Sequence, residues 1–220
     1  MLGCLSFKQK DMFKLIKILE EVESPYNGKI QVVQTFEGRR ILVGGVSQSG
    51  WLVKKVWETA LKRLKKDKAE AGEILILGLG GGSITEVVSG LWPNAQMTAV
   101  DIDCEMVNMG KKYLDLDKVK NLRIEIEDAE KFVKSTKKKY DFVLIDLYKG
   151  PKMPEQFMGK KFVEAFYQLL EKSGVAAFNH LFTQTEKNDA LSLEGKLREN
   201  FSSILRVYPE ANVVYLCFKE

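Results

Sequence analysis

Four positions in this sequence could do chemistry together: the loop Gly78-Leu79-Gly80-Gly81-Gly82-Ser83, then Asp101, Asp128 and Asp146. Gly78, Gly80, Gly81 and Gly82 lack a Cβ, so the chain can turn tightly there and a ligand can approach the backbone. Ser83 can cap a helix whose free N–H groups point back at the loop. Asp101 follows Gly78 by 23 residues, the spacing at which a carboxylate can accept hydrogen bonds from ribose hydroxyls. The chemistry implied is nucleoside binding. Dinucleotide sites favour G-x-G-x-x-G, whereas here the glycines are consecutive and the sixth position is Ser83. The loop therefore fits an S-adenosylmethionine-type site better than an NAD site.

The elements that must position these residues follow from periodicity. Ile74 to Leu77 is a short, wholly apolar run, as expected for a central strand of a parallel sheet covered on both faces. Strands are expected at Met97–Val100, Leu122–Ile126, Phe142–Asp146 and Val175–Asn179, with helices between them. The closing strands, Ile204–Tyr208 and Val213–Phe218, are joined only by Pro209-Glu210-Ala211-Asn212, a connection that forces antiparallel pairing. The expected fold class is α/β, a Rossmann-like methyltransferase fold with a seven-stranded sheet whose last strand is antiparallel. In this order the glycine loop, Asp101, Asp128 and Asp146 all fall at strand C-termini, the edge where open α/β sheets bind ligands.

Ahead of this lies a different texture. Lys8 to Val22 carries Met12, Leu15, Ile16 and Leu19 at helical spacing, and Ile30–Thr35 with Arg40–Val43 reads as a hairpin bent at Gly38. The organisation expected is a helix-plus-hairpin appendage over residues 1–50 and a nucleoside-binding domain over 51–220. From Trp51, an apolar stripe through Val56, Trp57, Ala60, Leu61 and Leu64 marks the helix that leads into the glycine strand.

A chain of 220 residues with 45% apolar content can bury a full α/β core. It has no 18-residue apolar run and no secretory leader pattern at its start, so a cytoplasmic protein without membrane spans is expected. Cys4, Cys104 and Cys217 form no C-x-x-C pair, which argues against a disulfide framework or a zinc site. The net charge of +4 is concentrated in Lys54–Lys68 and Lys131–Lys139, which helical periodicity turns into solvated faces. Nucleic acid thus ranks below a small molecule as partner.

With these residues in place, the sequence resembles the spermidine synthase group of aminopropyltransferases, including its methyltransferase-like branch. The likeness runs from about Glu23 to Phe218: ESPYNGKIQVV is similar to the family's S-x-Y-Q strand, GGVSQSG to its D-G-x-x-Q turn, and the glycine loop, VDID, EDA and YDFVLID follow in the family's order. The resemblance implies that Gln48 contacts the nucleoside, Asp101 with Ile102 holds the ribose, and Asp128 with Ala129 meets the adenine. It implies further that Gly78, Gly80, Gly81 and Gly82 cradle the tail of S-adenosylmethionine or its decarboxylated form. Asp146 and Tyr148 would stand at the transfer site, and a homodimer is the expected assembly.

Two departures separate the chain from that pattern. Gly81 stands where the family's G-G-G-D-G-G places an acid, and Asp146-Leu147-Tyr148-Lys149-Gly150 replaces D-x-T-D-P. Lys149 should repel a polycation by roughly 1 kcal/mol at about 4 Å in water, and more in a drier site. The first expectation is therefore methyl transfer to a small acceptor. Aminopropyl transfer making a polyamine is the alternative, and a non-catalytic nucleoside-binding module is a third reading. His180, the single histidine, is a candidate general base near the same edge.

Overall fold

The computed structural model describes residues 16–220. Four strands come first: β1 (Lys17–Ser24), β2 (Gly28–Thr35), β3 (Gly38–Val43) and β4 (Val46–Ser49), paired antiparallel in sequence order. The expected Lys8–Val22 helix lies partly outside the described residues, and its remainder is a strand. Pairing decides this: Lys17–Ser24 lies against Gly28–Gln34 of β2, which satisfies its backbone while Leu19 and Val22 pack on Ile30, Val32 and Met109. Gln48, expected in a turn, sits in β4.

The helix α1 (Trp51–Asp67) follows and buries the expected stripe of Val56, Trp57, Ala60, Leu61 and Leu64. It leads into β5 (Glu73–Leu77), α2 (Ser83–Leu91), β6 (Gln96–Asp101), α3 (Cys104–Tyr113), β7 (Leu122–Ile126), α4 (Ala129–Ser135) and β8 (Tyr140–Ile145). The chain then forms α5 (Lys160–Leu169), β9 (Leu170–Leu181), α6 (Lys187–Leu197), β10 (Ser203–Val207) and β11 (Asn212–Phe218). The seven strands order as β10-β11-β9-β8-β5-β6-β7. β5 to β9 are parallel, and β11 inserts antiparallel between β9 and β10, as its short connection requires.

β5 lies inside this sheet, between β8 and β6, and both its faces are apolar. Ile74, Leu75, Ile76 and Leu77 are fully buried, each stabilising the fold by roughly 1.5–3 kcal/mol through burial. Leu75 and Leu77 face a layer holding Phe162, Phe166 and Leu193, while Ile74 and Ile76 face Trp57, Leu61 and Val88. Two helical layers thus clamp the sheet and fix where its strands end.

Candidate active site

The C-terminal ends of β5, β6, β8 and β9 open into one cavity of about 360 Å3. The backbone builds its floor. β5 and β8 stay in register past Leu77, with the Asp146 N–H donating to the Leu77 carbonyl at 2.8 Å. That brings the Asp146 carbonyl to 2.2 Å from where a Cβ on residue 78 would stand, and Gly78 has φ +89°. Only glycine fits there. Gly78→Ala should lower stability by about 2–3 kcal/mol, a fall in Tm of about 5–10 °C for a domain of this size. Calorimetry checks this, and a melt within about 1 °C of wild type would contradict the close approach.

The glycine loop is also stitched to the N-terminal sheet. The Gly81 N–H donates to Ser49 Oγ at 2.6 Å, and the Gly50 N–H donates to Ser83 Oγ at 2.8 Å. A Cβ at Gly81 would meet Ile41 at 2.5 Å and both Leu114 and Ser49 at 3.0 Å, and one at Gly82 would meet Leu116 at 2.5 Å. These two glycines therefore serve packing on the far side of the loop and do not line the cavity. Gly78 and Gly80 do line it.

Asp101, at the end of β6, accepts from the Gly80 N–H at 2.7 Å and the Asp103 N–H at 2.9 Å. Burial pushes its carboxyl up from 3.8 to about 6, against the pull of those two backbone donors. The stability contributed by this carboxyl is present below its ordinary value of 3.8 and is lost as pH rises through about 6. Ligand affinity has the opposite sign, because the ionised form offers more acceptor sites. If the nucleoside expected from the sequence rests on Asp101, its affinity should be full above about pH 7 and fall as pH drops through about 6, by up to about tenfold per unit. Titration calorimetry across about pH 5 to about 8 reads this, with Asp101→Asn expected to flatten the profile.

Asp103 ties the Ser24–Asn27 turn to the same edge: its Oδ2 accepts from Ser24 Oγ at 2.5 Å and Asn27 Nδ2 at 2.6 Å, while its Oδ1 caps α3. Tyr26 and Asn27 thereby reach the cavity. Asp128 both caps α4, accepting from the Lys131 N–H at 3.0 Å, and lines the cavity with Ala129 and Ile102. Gln48 lines it too, and its amide donates to the Gly150 carbonyl at 3.0 Å.

Asp146 is held from behind. Trp57 Nε1 donates to its Oδ2 at 2.8 Å and Asn179 Nδ2 to its Oδ1 at 2.8 Å; Asn212 Nδ2 in turn donates to Asn179 Oδ1 at 3.0 Å. Burial raises its pKa despite those two donors, which makes it a stronger base than an exposed carboxylate. Tyr148 accepts from the Leu181 N–H at 2.8 Å, leaving its own hydroxyl hydrogen free to donate into the cavity. Burial, reinforced by the charge of Asp146, drives the phenol well above the usual tyrosine range. It is a donor and not a base.

Periodicity missed Trp57, Asn179 and Asn212. Trp57 read as core, which it is, yet a buried indole N–H needs an acceptor, and that was the available signal. His180 is not part of the site. β9 continues to Leu181, so the two-residue alternation that turns Asn179 and Leu181 to the cavity turns His180 away, to 3.3 Å from Met158 Sδ.

The profile of the spermine/spermidine synthase domain family matches residues 58–219. The chain belongs to this family. Among curated relatives, the chain resembles the polyamine aminopropyltransferase of Vibrio vulnificus, at 35% identity over 50% of this chain and 38% of that one. It also resembles the eEF1A lysine and N-terminal methyltransferase homolog of Drosophila melanogaster, at 28% identity over 55% of this chain and 19% of that protein. The chain thus spans well under two thirds of either relative. A probable spermidine synthase from Corynebacterium glutamicum shares the fold, with a TM-score of 0.76 at 17% identity over 92% of this chain and 79% of that one.

Proposed function

We propose that this protein is a transferase using a sulfonium nucleoside, moving the aminopropyl group of decarboxylated S-adenosylmethionine to an amine. The observation that carries the reading is the Asp146 carboxylate at the cavity floor, made more basic by burial and fixed by Trp57 and Asn179. Likeness to polyamine aminopropyltransferases supports it over the methyl transfer expected from the sequence. In this reading residues 51–220 form the transferase domain, and residues 1–50 supply Tyr26, Asn27 and Gln48 to its cavity.

The cavity fits the nucleoside: Gly78 and Gly80 leave the loop backbone open to it, and Asp101 keeps a lone pair on each oxygen beyond its two backbone donors. The bound sulfonium supplies an activated carbon with a neutral thioether as leaving group. Asp101 and Ile102 hold the ribose, and Asp128 and Ala129 meet the adenine. Asp146 accepts the amine's proton so that its lone pair is free, and Tyr148 donates a hydrogen bond that orients the acceptor. Among the described residues no helix is long and apolar enough to cross a membrane.

One observation favours methyl transfer as a second reading. The side-chain space at Gly81 is filled by Ile41, Leu114 and Ser49, so the loop offers no acid there for the ammonium of a decarboxylated tail. Calorimetry with both nucleosides, combined with chromatography of the nucleoside product, separates the two. Binding of the decarboxylated donor with methylthioadenosine as product supports aminopropyl transfer. Tight binding of S-adenosylmethionine alone, with S-adenosylhomocysteine as product, would overturn it.

A further inference from the structure

The loop after β8 brings one cation, Lys149, to the cavity mouth. Lys149 and Lys152 face each other across an antiparallel bridge, with the Lys149 N–H donating to the Lys152 carbonyl at 2.8 Å and the return bond at 3.3 Å. Directly opposed residues in such a bridge leave the ribbon on one face with Cβ atoms about 5 Å apart, where like charges destabilise each other. Both lysines are exposed, and among the described residues neither has an ion-pair partner. The turn between them is fastened by Gln48, whose amide donates to the Gly150 carbonyl, so the backbone that carries Lys149 is held at the cavity. Lys149 is the one basic residue lining the cavity among those described.

Among the described residues none of the acids lining that cavity, Asp101, Glu127, Asp128, Asp146 and Glu210, comes within ion-pair distance of Lys149, and Glu210 is paired instead with Lys55 at 2.5 Å. An acceptor whose amine rests on Asp146 therefore shares the cavity with a positive charge that has no ion-pair partner among the described residues, three positions further along the chain.

We infer that the acceptor is an amine carrying an anionic group at its far end, an ω-amino acid or a similar zwitterion, and not a diamine. This rests on the amine-acceptor reading above. In the reaction the amine lone pair forms the new N–C bond as the C–S bond breaks, the thioether takes that electron pair, and the displaced amine proton goes to Asp146.

The test compares two acceptors of matched length, 4-aminobutanoate and 1,4-diaminobutane. Binding to the protein saturated with methylthioadenosine is measured by calorimetry, and turnover with decarboxylated S-adenosylmethionine is measured separately. The expected result is about tenfold tighter binding of the amino acid, reversed in Lys149→Asp and abolished in Lys149→Gln, since moving a charge by one or two units at the mouth changes its interaction by this order. Equal or tighter binding of the diamine by wild type, or a preference unmoved in both variants, would overturn the inference. Preferential binding of the amino acid without turnover upholds the inference and counts against the aminopropyl reading instead.

Discussion

Asp146→Asn should lower kcat by roughly two to four orders of magnitude, the range expected when a positioned proton acceptor is lost. The same substitution disturbs the support behind the site. Trp57 and Asn179 each aim an N–H donor at one carboxylate oxygen, and an amide can accept through only one of its two atoms. One donor must then face the new NH2 group. KM for the donor nucleoside should move far less than kcat, because the lost interaction is made chiefly as the proton leaves. Steady-state kinetics on a turned-over acceptor reads both constants, and a fall in kcat below about tenfold would remove Asp146 from the role of base.

Asp101→Ala should weaken nucleoside binding by roughly 100- to 1,000-fold. The two charge-assisted hydrogen bonds proposed from Asp101 to ribose hydroxyls, at roughly 1.5–3 kcal/mol each, set the upper end, and water entering the vacated space returns part of the loss. The substitution also releases Gly80 and Asp103 from the carboxylate that joins the glycine loop to the start of α3. Comparing Asp101→Asn separates these contributions: an amide oxygen can keep one backbone donor, so a smaller loss is expected there. Calorimetric titration with methylthioadenosine is the measurement, and an affinity within about threefold of wild type would place the ribose elsewhere in the cavity.

The site was legible in the sequence where local pattern and ligand chemistry coincide. An apolar strand, a run of glycines and an acid at the next strand's end are all short-range features, and Gln48, Gly78, Gly80, Asp101, Ile102, Asp128, Ala129, Asp146 and Tyr148 do meet in one cavity. Residues with two uses were harder to read. Gly81 and Gly82 look like ligand loop but answer to Ile41 and Leu116, contacts made with parts of the chain far away in sequence. Trp57 has the right period for a core helix, and nothing local says that its N–H finds Asp146, 89 residues on. The strand at Lys17–Ser24 shows the same limit, since its apolar spacing suits a helix until β2 is present to pair with it. The closing hairpin was readable because a four-residue connection leaves the chain no other route.

The stitching of the glycine loop to Ser49 and Gly50 has a thermodynamic corollary. The N-terminal sheet and the glycine loop share hydrogen bonds, so opening one frays the other, and the two belong to a single cooperative unit. A nucleoside that binds only the closed loop then adds its binding free energy to the protection of β3, none of whose residues lines the cavity. Occupancy of the cavity thus becomes readable at a distance, in the hydrogen-exchange rates of a strand that carries no chemistry of its own.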